Sequence, residues 1–507
     1  EAVEALNIVS NTCQILAPLA TEQLGDIAVR AQNFSQAMEF YNSTLGAAGL
    51  PLQYQEQLFA KIKPLVSKSV KLPEGALWID EYRQWEQRQD LVVTKPKVVR
   101  DSLTMLQDRL WLRAWNFEMD KKYREAITNY RSIFGTTGKR TDEARHRHIL
   151  CFYKLGEYDS AIVYVNAFRS ELPNSSFIWA GMFWQGKAYA AQGKTEEAHR
   201  VWNEIVQLNP DDYHAHRVMQ LMGMADSATG KYHAAPANAV QIPESEVRAW
   251  LDSIPPVSER KDLTEADSIA LRRGAALLSV AQTDDAVFFL DNYLNNYPGN
   301  LLLQYDLASA YAIAGNIAQT FRPGQRLAWR IPTTHRGHIP LQVRTVIYPP
   351  LYSSTIRKYA EQFDIDPLFV TALMRQESMF NLSLVSPAGA IGLMQIMPAT
   401  GRQIATELKV KNFATDSLYN PDLSIRFGVY YMQKRMKQFS NDLVLTLCAY
   451  NAGSHNAIKW RDRNRGVEFD IFVENIGFLE TRIYVKRVLG NYWTYQRLVA
   501  TPGYSSQ

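Results

Sequence analysis

The stretch MRQESMFN (374–381) sets an ionisable Glu377 among Met and Phe, at the end of an apolar run. A carboxyl group in that position has two uses. Facing water, it is an ordinary helix-end charge. In apolar company it keeps its proton near neutral pH, because burial disfavours the charged form, and it can then protonate a departing oxygen. Ser378 beside it suits support of the helix end. The same part of the chain supplies amides and rings: Gln395 in SPAGAIGLMQIMPAT (386–400), and Tyr450 and Asn451 in LVLTLCAYNAG (443–453). Aromatic faces with amides fit a sugar, which has apolar ring faces and many hydroxyls. Ordinary glycosidases place two carboxylates about the scissile bond, and no second one is tied to Glu377 by a local motif.

Other chemistries find little footing. His146 and His148, and His214 and His216, are two apart, so each pair diverges on a helix; no metal site and no cofactor is expected. There is no GxSxG and no phosphate-binding GxxxxGK[ST]. The three cysteines, Cys13, Cys151 and Cys448, are far apart and form no CxxC, which argues against a disulfide framework or a zinc ribbon. Net charge is +4 over 507 residues and no long run of like charge occurs, so nucleic acid is not an expected partner. No run of about 20 apolar residues is present. The chain begins EAVEAL without Met, which fits removal of a leader.

Several helices must bring these groups together. Asp366-Pro367 has the form of a helix start, with Asp as cap and Pro in the first turn. Leu368, Val370, Ala372, Leu373 and Met374 then make a buried helix that ends at Glu377 and Ser378. Pro398 opens another helix, NPDLSIRFGVYYMQKRM (420–436) a third, and LVLTLCAYNAG an apolar fourth that stops at Asn451 and Gly453. ETRIYVKRVLGNYW (480–493) reads as an amphipathic helix.

The first two thirds of the chain are also helical in texture. GEYDSAIVYVNAFRSELP (156–173), GKTEEAHRVWNEIVQLNP (193–210) and TDDAVFFLDNYLNNYP (283–298) align, each with an Ala twelve residues before a Pro. Small residues let paired helices approach and the Pro ends the second helix, the signature of an irregular, tetratricopeptide-like α-solenoid. Trp179, Trp184 and Trp202 fit its core. Residues 225–262 read as a loop with a short helix, and the proline-bearing stretch 322–350, ending in Tyr348-Pro349-Pro350, as a boundary. The expected fold is all-α, an irregular solenoid followed by a motif-dense helical region beyond that boundary.

ES at 377–378, GLMQ at 392–395 and AYNAG at 449–453, in that order, resemble the catalytic domain of the lytic murein transglycosylases. The helical solenoid ahead of it resembles the large soluble type of that family. The resemblance implies a goose-lysozyme-like helical catalytic domain over 346–507 on a ring of helices, a solenoid over 1–265 closed by a helical linker over 266–345. It implies cleavage of the β-1,4 bond between N-acetylmuramic acid and N-acetylglucosamine, with 1,6-anhydromuramic acid ends. It makes Glu377 the catalytic acid and then the base, and puts Ser386, Met394, Gln395, Tyr450 and Asn451 along the substrate groove. Glu480 and Tyr484, one turn apart, fall where the family has an acidic residue and a tyrosine facing the cleft. A periplasmic monomer is expected, acting on peptidoglycan glycan strands, with an outer-membrane lipid anchor outside this chain and cell-wall synthesis or hydrolysis proteins as partners of the solenoid. Two other readings compete: a lysozyme-type hydrolase on the same fold, and a peptidoglycan-binding scaffold with a dead cleft.

Overall fold

Ala161, Ala198 and Ala286, the matching alanines of the repeats, are all fully buried. The best-formed pair shows why small residues stand there. Helices Ile178–Ala191 and Thr195–Leu208 lie so close that a Cβ on Gly186 would fall 2.1 Å from Trp202 Nε1. That indole instead donates to the Phe183 carbonyl at 3.2 Å. The second helices of the first two units follow Gly156 and Gly193, at φ +78° and +74°, a left-handed turn that glycine adopts without penalty. They end at Glu171 and Leu208, just ahead of Pro173 and Pro210. Trp184 and Trp202 are buried in one cluster and Trp179 packs against it, so the three tryptophans are solenoid core as expected.

The computed structural model describes residues 2–12, 16–47, 50, 52–67, 82, 102–136, 140–225, 241–254, 263–280, 282–297, 299–313, 317–501 and 504. Among these there is no β-strand, only isolated bridges joining Val385 to Ile391 and Ile391 to Ile396. The fold is all-α, as the sequence predicts. The short helix expected within 225–262 is Glu244–Ser253; the loops expected on either side of it, 226–240 and 255–262, lie outside the described residues, as do Cys13 and Pro298.

The chain forms two compact units. One comprises Glu1–Lys97 and Arg248–Arg330, and its core draws on both segments: Tyr41, Leu58 and Phe59 pack in one cluster with Ala286, Phe289 and Tyr311. The other comprises Val98–Val247 and Ile331–Gln507 and holds every candidate site residue. Within the proline-bearing boundary, Pro332 and Pro340 precede short helices, Thr333–Arg336 and Leu341–Ile347. Tyr348-Pro349 is then tied down: Tyr504 donates to the Tyr348 carbonyl at 2.9 Å, and the Arg375 guanidinium lies 4.3 Å from the Tyr348 ring.

The last helix, Leu479–Val499, departs from expectation. It is not amphipathic in use but buried nearly all round, because it packs against helices Pro367–Ser378, Leu443–Ala452 and Tyr213–Leu221 at once. Its charged residues meet buried partners instead of water: Arg482 pairs with Glu143, Arg497 with Asp211, and Lys486 with Glu474 at 2.7 Å. These belong to a larger ionic core. Fully buried Arg147 pairs with Glu118 and donates to the Glu474 carbonyl at 2.7 Å; Lys154 bonds Glu118 and Asn475 Oδ1, both at 2.7 Å. Burial would raise the Glu118 carboxyl, but the charges of Arg147 and Lys154 outweigh it and hold the group at about 2. The pairs clamp segment 468–486, which leads into the last helix, onto helices Ser102–Met119 and Thr141–Lys154.

Candidate active site

Helix Pro367–Ser378 is started as the sequence predicts. Asp366 accepts from the Leu368 N–H at 2.8 Å, and Pro367 occupies the first turn, where its missing N–H costs nothing. Asp366 also accepts from Tyr492 Oη at 2.8 Å. Phe369 to Arg375 are buried. The chain then turns through two successive left-handed residues, Met379 at φ +51° and Phe380 at +58°, each disfavoured by about 1–2 kcal/mol without a glycine. Phe380 is fully buried, which holds the turn in place. Glu377 is thereby left on the final turn of a buried helix, enclosed by protein yet still reached by solvent. Ser378 is buried and its hydroxyl donates to the Met374 carbonyl at 3.3 Å, so it serves the helix end and not the carboxylate.

Glu377 Oε1 accepts from Tyr484 Oη at 2.6 Å. Burial raises the carboxyl pKa, the Tyr484 hydrogen bond opposes this, and the charge of Glu480 adds to the rise; the outcome is about 7, from an ordinary 4.5. Near neutral pH the group is divided between its acid and its base form, the condition under which one carboxyl can both give and take a proton. The Tyr484 hydroxyl is held well above its ordinary pKa by burial and by the carboxylate, so it remains a donor. Tyr450 is raised for the same reasons, with Glu377 the largest charge acting on it. Its hydroxyl donates to the Met394 carbonyl at 2.8 Å, and its ring packs edge-on against Tyr431 at 5.2 Å.

The GLMQ turn is built by its own residues. Gly392, at φ +75°, lies so close to the Leu418 carbonyl oxygen that a Cβ would be 2.5 Å from it. Gln395, itself left-handed at φ +46°, donates from Nε2 to the carbonyls of Leu384 at 3.0 Å and Gly392 at 2.8 Å. Ser386 closes the preceding loop: its Oγ accepts from Ala390 N–H at 3.0 Å. Met394 is a correction. Its side chain lines no groove; it is fully buried against helix Pro421–Gln438, where a Cβ on Gly428 would lie 2.4 Å from Met394 Cβ. What Met394 offers the site is its carbonyl. Asn451 ends helix Leu443–Ala452 and accepts from Thr481 Oγ1 at 2.6 Å, which joins it to the last helix.

The structure therefore brings Glu377, Tyr484, Tyr450, Gln395 and the Met394 carbonyl into one neighbourhood. Asn451 joins it through Thr481. Glu480 is exposed one turn before Tyr484 and acts on Glu377 by charge. Thr481 was not singled out by its sequence, although it stands three residues before Tyr484 and so shares its side of the helix. The histidine pairs do diverge: His146 stacks on Phe177, His148 sits among Phe152 and Tyr164, His214 bonds Asp212, and His216 bonds Thr494.

A carboxyl raised by burial stands at the end of a buried helix and accepts from the Tyr484 hydroxyl, within an all-α unit that also holds the tetratricopeptide-like helices. Comparison with known proteins agrees. Residues 354–473 match the family described as Transglycosylase SLT domain, and 179–212 match Tetratricopeptide repeat. The soluble lytic murein transglycosylase of Escherichia coli (strain K12) is 36% identical over 152 residues, 30% of this chain and 23% of that protein. The membrane-bound lytic murein transglycosylase C of Haemophilus influenzae (strain PittEE) is 33% identical over 135 residues, 25% of this chain and 36% of that protein. The matched segment thus spans about a quarter to a third of these curated relatives. The fold likeness runs further. An inactive mutant of lytic transglycosylase Slt from Pseudomonas aeruginosa has a TM-score of 0.57 at 18% identity, covering 99% of this chain and 71% of that one. The 70-kDa soluble lytic transglycosylase in complex with bulgecin A has 0.54 at 19%, covering 97% and 71%. The resemblance seen in the three motifs is borne out at this level: residues 354–473 match the Transglycosylase SLT domain, and the chain shares the all-α fold of solved soluble lytic transglycosylases.

Proposed function

We propose that this protein is a peptidoglycan lytic transglycosylase that cleaves the β-1,4 bond between N-acetylmuramic acid and N-acetylglucosamine. The observation that carries the reading is Glu377, poised near pKa 7 under the Tyr484 hydroxyl within the matched domain. In the protonated state Glu377 gives its proton to the glycosidic oxygen as the C1–O bond breaks, with the substrate's N-acetyl group assisting departure. The carboxylate then takes the proton of the muramic acid 6-hydroxyl, whose oxygen bonds C1 and closes the 1,6-anhydro ring. The proton given in the first step is recovered in the second, and no water is consumed. Tyr484 steadies the carboxylate when it is charged. Gln395, Tyr450, Asn451 and Ser386 border the substrate groove, and Glu480 biases Glu377 toward its acid form.

The hydrolase reading needs a second carboxylate poised across the scissile bond. Among the described residues, the carboxylate whose charge acts on Glu377 is Glu480, exposed at the start of the last helix. Residues 346–507 are the catalytic domain in this reading, with 1–265 the solenoid and 266–345 the linker; the packing of Ala286, Phe289 and Tyr311 against Tyr41 and Phe59 supports a linker that engages the start of the chain. A periplasmic location, a lipid anchor outside this chain, a monomeric state and cell-wall protein partners belong to the same proposal. None of the described helices is long and apolar enough to cross a membrane.

Mass spectrometry of products from purified peptidoglycan tests it, with the wild type beside Glu377→Gln. Anhydromuramic ends from the wild type alone are expected. Ordinary reducing ends would make it a hydrolase, equal products from both proteins would remove Glu377 from the chemistry, and no product from either would leave a scaffold.

A further inference from the structure

The turn of the last helix that carries Tyr484 is gripped from behind. Arg482 and Lys486 stand two residues to either side of Tyr484, and two residues turn a helix through about 200°. The two cations, four apart, therefore share the face opposite Tyr484. On one side Tyr484 Oη meets Glu377 at 2.6 Å. On the other, Arg482 pairs with Glu143, and Lys486 with Glu474 at 2.7 Å. Both of these carboxylates are buried.

Each carboxylate is anchored in turn. Glu143 lies on helix Thr141–Lys154 and also takes Arg140 at 2.9 Å. The Glu474 carbonyl accepts from Arg147 at 2.7 Å and from Arg482 at 3.1 Å. Its carboxylate lies 3.5 Å from Arg147, and 3.4 Å from both His146 Nε2 and Trp184 Nε1. Burial would raise the Glu474 carboxyl, but the charge of Lys486, with His146 and Arg147, outweighs it and keeps the group ionised. The arrangement is sensitive to rotation. A side-chain tip about 6 Å from a helix axis moves about 1 Å for each 10° of turn. That carries a 2.6 Å hydroxyl–carboxylate bond out of range. What acts on Glu377 is its own burial, the Tyr484 hydroxyl and the charge of Glu480, so Glu143 and Glu474 reach it through Tyr484.

We propose that Glu143 and Glu474 are positioning residues for the acid: through Arg482 and Lys486 they fix the rotation of the last helix and so hold the Tyr484 hydroxyl on Glu377. The inference rests on the reading of Glu377 as the acid. It gives helix Thr141–Lys154, from a distant part of the chain, a part in the proton cycle.

The test reads the proton on Glu377 directly, by carbon NMR of the whole protein labelled at the glutamate carboxyl carbons. The Glu377 signal is identified by its loss in Glu377→Gln. The Tyr484 bond favours the charged form, so loosening it raises the titration midpoint. In Glu143→Gln the midpoint is expected to rise by about 0.5–1 pH unit, part of the shift of about 1–2 units that loss of the whole bond brings. Lys486→Met loosens the second tie and should move the midpoint the same way; it carries the test if Glu143→Gln does not fold. Val165→Ala, a buried change in helix Tyr158–Glu171, lowers stability without touching either tie and should leave the midpoint in place. In a Tyr484→Phe background neither tie variant should move it further. A midpoint unmoved by the tie variants, moved equally by Val165→Ala, or moved as far without the Tyr484 hydroxyl overturns the proposal. Cleavage of peptidoglycan is scored separately. A shifted carboxyl in a protein that cleaves nothing removes the proposed activity and keeps the positioning role, and cleavage with an unmoved carboxyl does the reverse.

Discussion

Glu377→Gln is expected to stabilise the folded chain at alkaline pH and to leave it unchanged in acid. The folded carboxyl is raised from 4.5 to about 7. Below about pH 4.5 it is protonated in folded and unfolded chains alike, so the residue costs nothing. Between about 4.5 and 7 the unfolded chain gives up the proton while the folded one keeps it, and stability falls as pH rises; above about 7 the loss is complete. At about 1.4 kcal/mol for each tenfold change, the full span corresponds to about 3 kcal/mol, an upper figure because solvent still reaches the group. Gln retains an oxygen for the Tyr484 hydroxyl and carries no charge. Denaturant melts of both proteins at pH 4.5, 6, 7 and 8.5 measure the gap, read in the transition that includes residues 331–507 because the chain has two compact units. A gap that opens across that range supports the strained acid. A gap independent of pH, or a wild type more stable than Glu377→Gln at pH 8.5, refutes the reasoning that burial keeps the proton on Glu377.

Tyr484→Phe removes the bond that favours the charged form of Glu377, so its pKa should rise above 7. A hydrogen bond to a charged group is worth about 1.5–3 kcal/mol, which moves the basic limb of the kcat/KM–pH profile up by about 1–2 pH units; a limb that stays put counts against the contact. Glu474→Ala leaves Lys486 and Arg147 short of a buried partner, and should lower stability by about 3–5 kcal/mol in denaturant melts; a loss below about 1 kcal/mol would mean the ionic core is dispensable. Asp366→Ala removes the cap of the helix that carries Glu377, at a cost of about 1 kcal/mol, and frees Tyr492 as well. Its melting curve should shift by at least that much, whereas a melt like the wild type's would show the cap to be redundant.

What the sequence made legible is what local chemistry decides. Asp366-Pro367, Pro398 and Asn420-Pro421 start helices because caps and first-turn prolines act within a few residues. Ala161 and Ala198 are buried where the repeat pattern puts small residues, and Gly186 shows the close helix approach such residues allow. Glu377 stood out because a charge in apolar company is costly wherever it is placed. Tyr484 Oη on Glu377 joins residues 107 positions apart, and Arg147 on Glu474 joins residues 327 apart. No periodicity records such pairs. The last helix was read as amphipathic for that reason: Arg482, Lys486 and Arg497 look like a solvated face until Glu143, Glu474 and Asp211 arrive from elsewhere in the chain. Met394 was misplaced by the converse error, since a motif marks a backbone turn as readily as a side chain, and here the turn presents the carbonyl and buries the thioether against Gly428. The ionic core has a consequence for the chemistry. It fixes segment 468–486 to the solenoid helices Ser102–Met119 and Thr141–Lys154, and that segment carries Glu480, Thr481 and Tyr484. The position of the Tyr484 hydroxyl over Glu377 is therefore set in part by these two helices from a distant part of the chain.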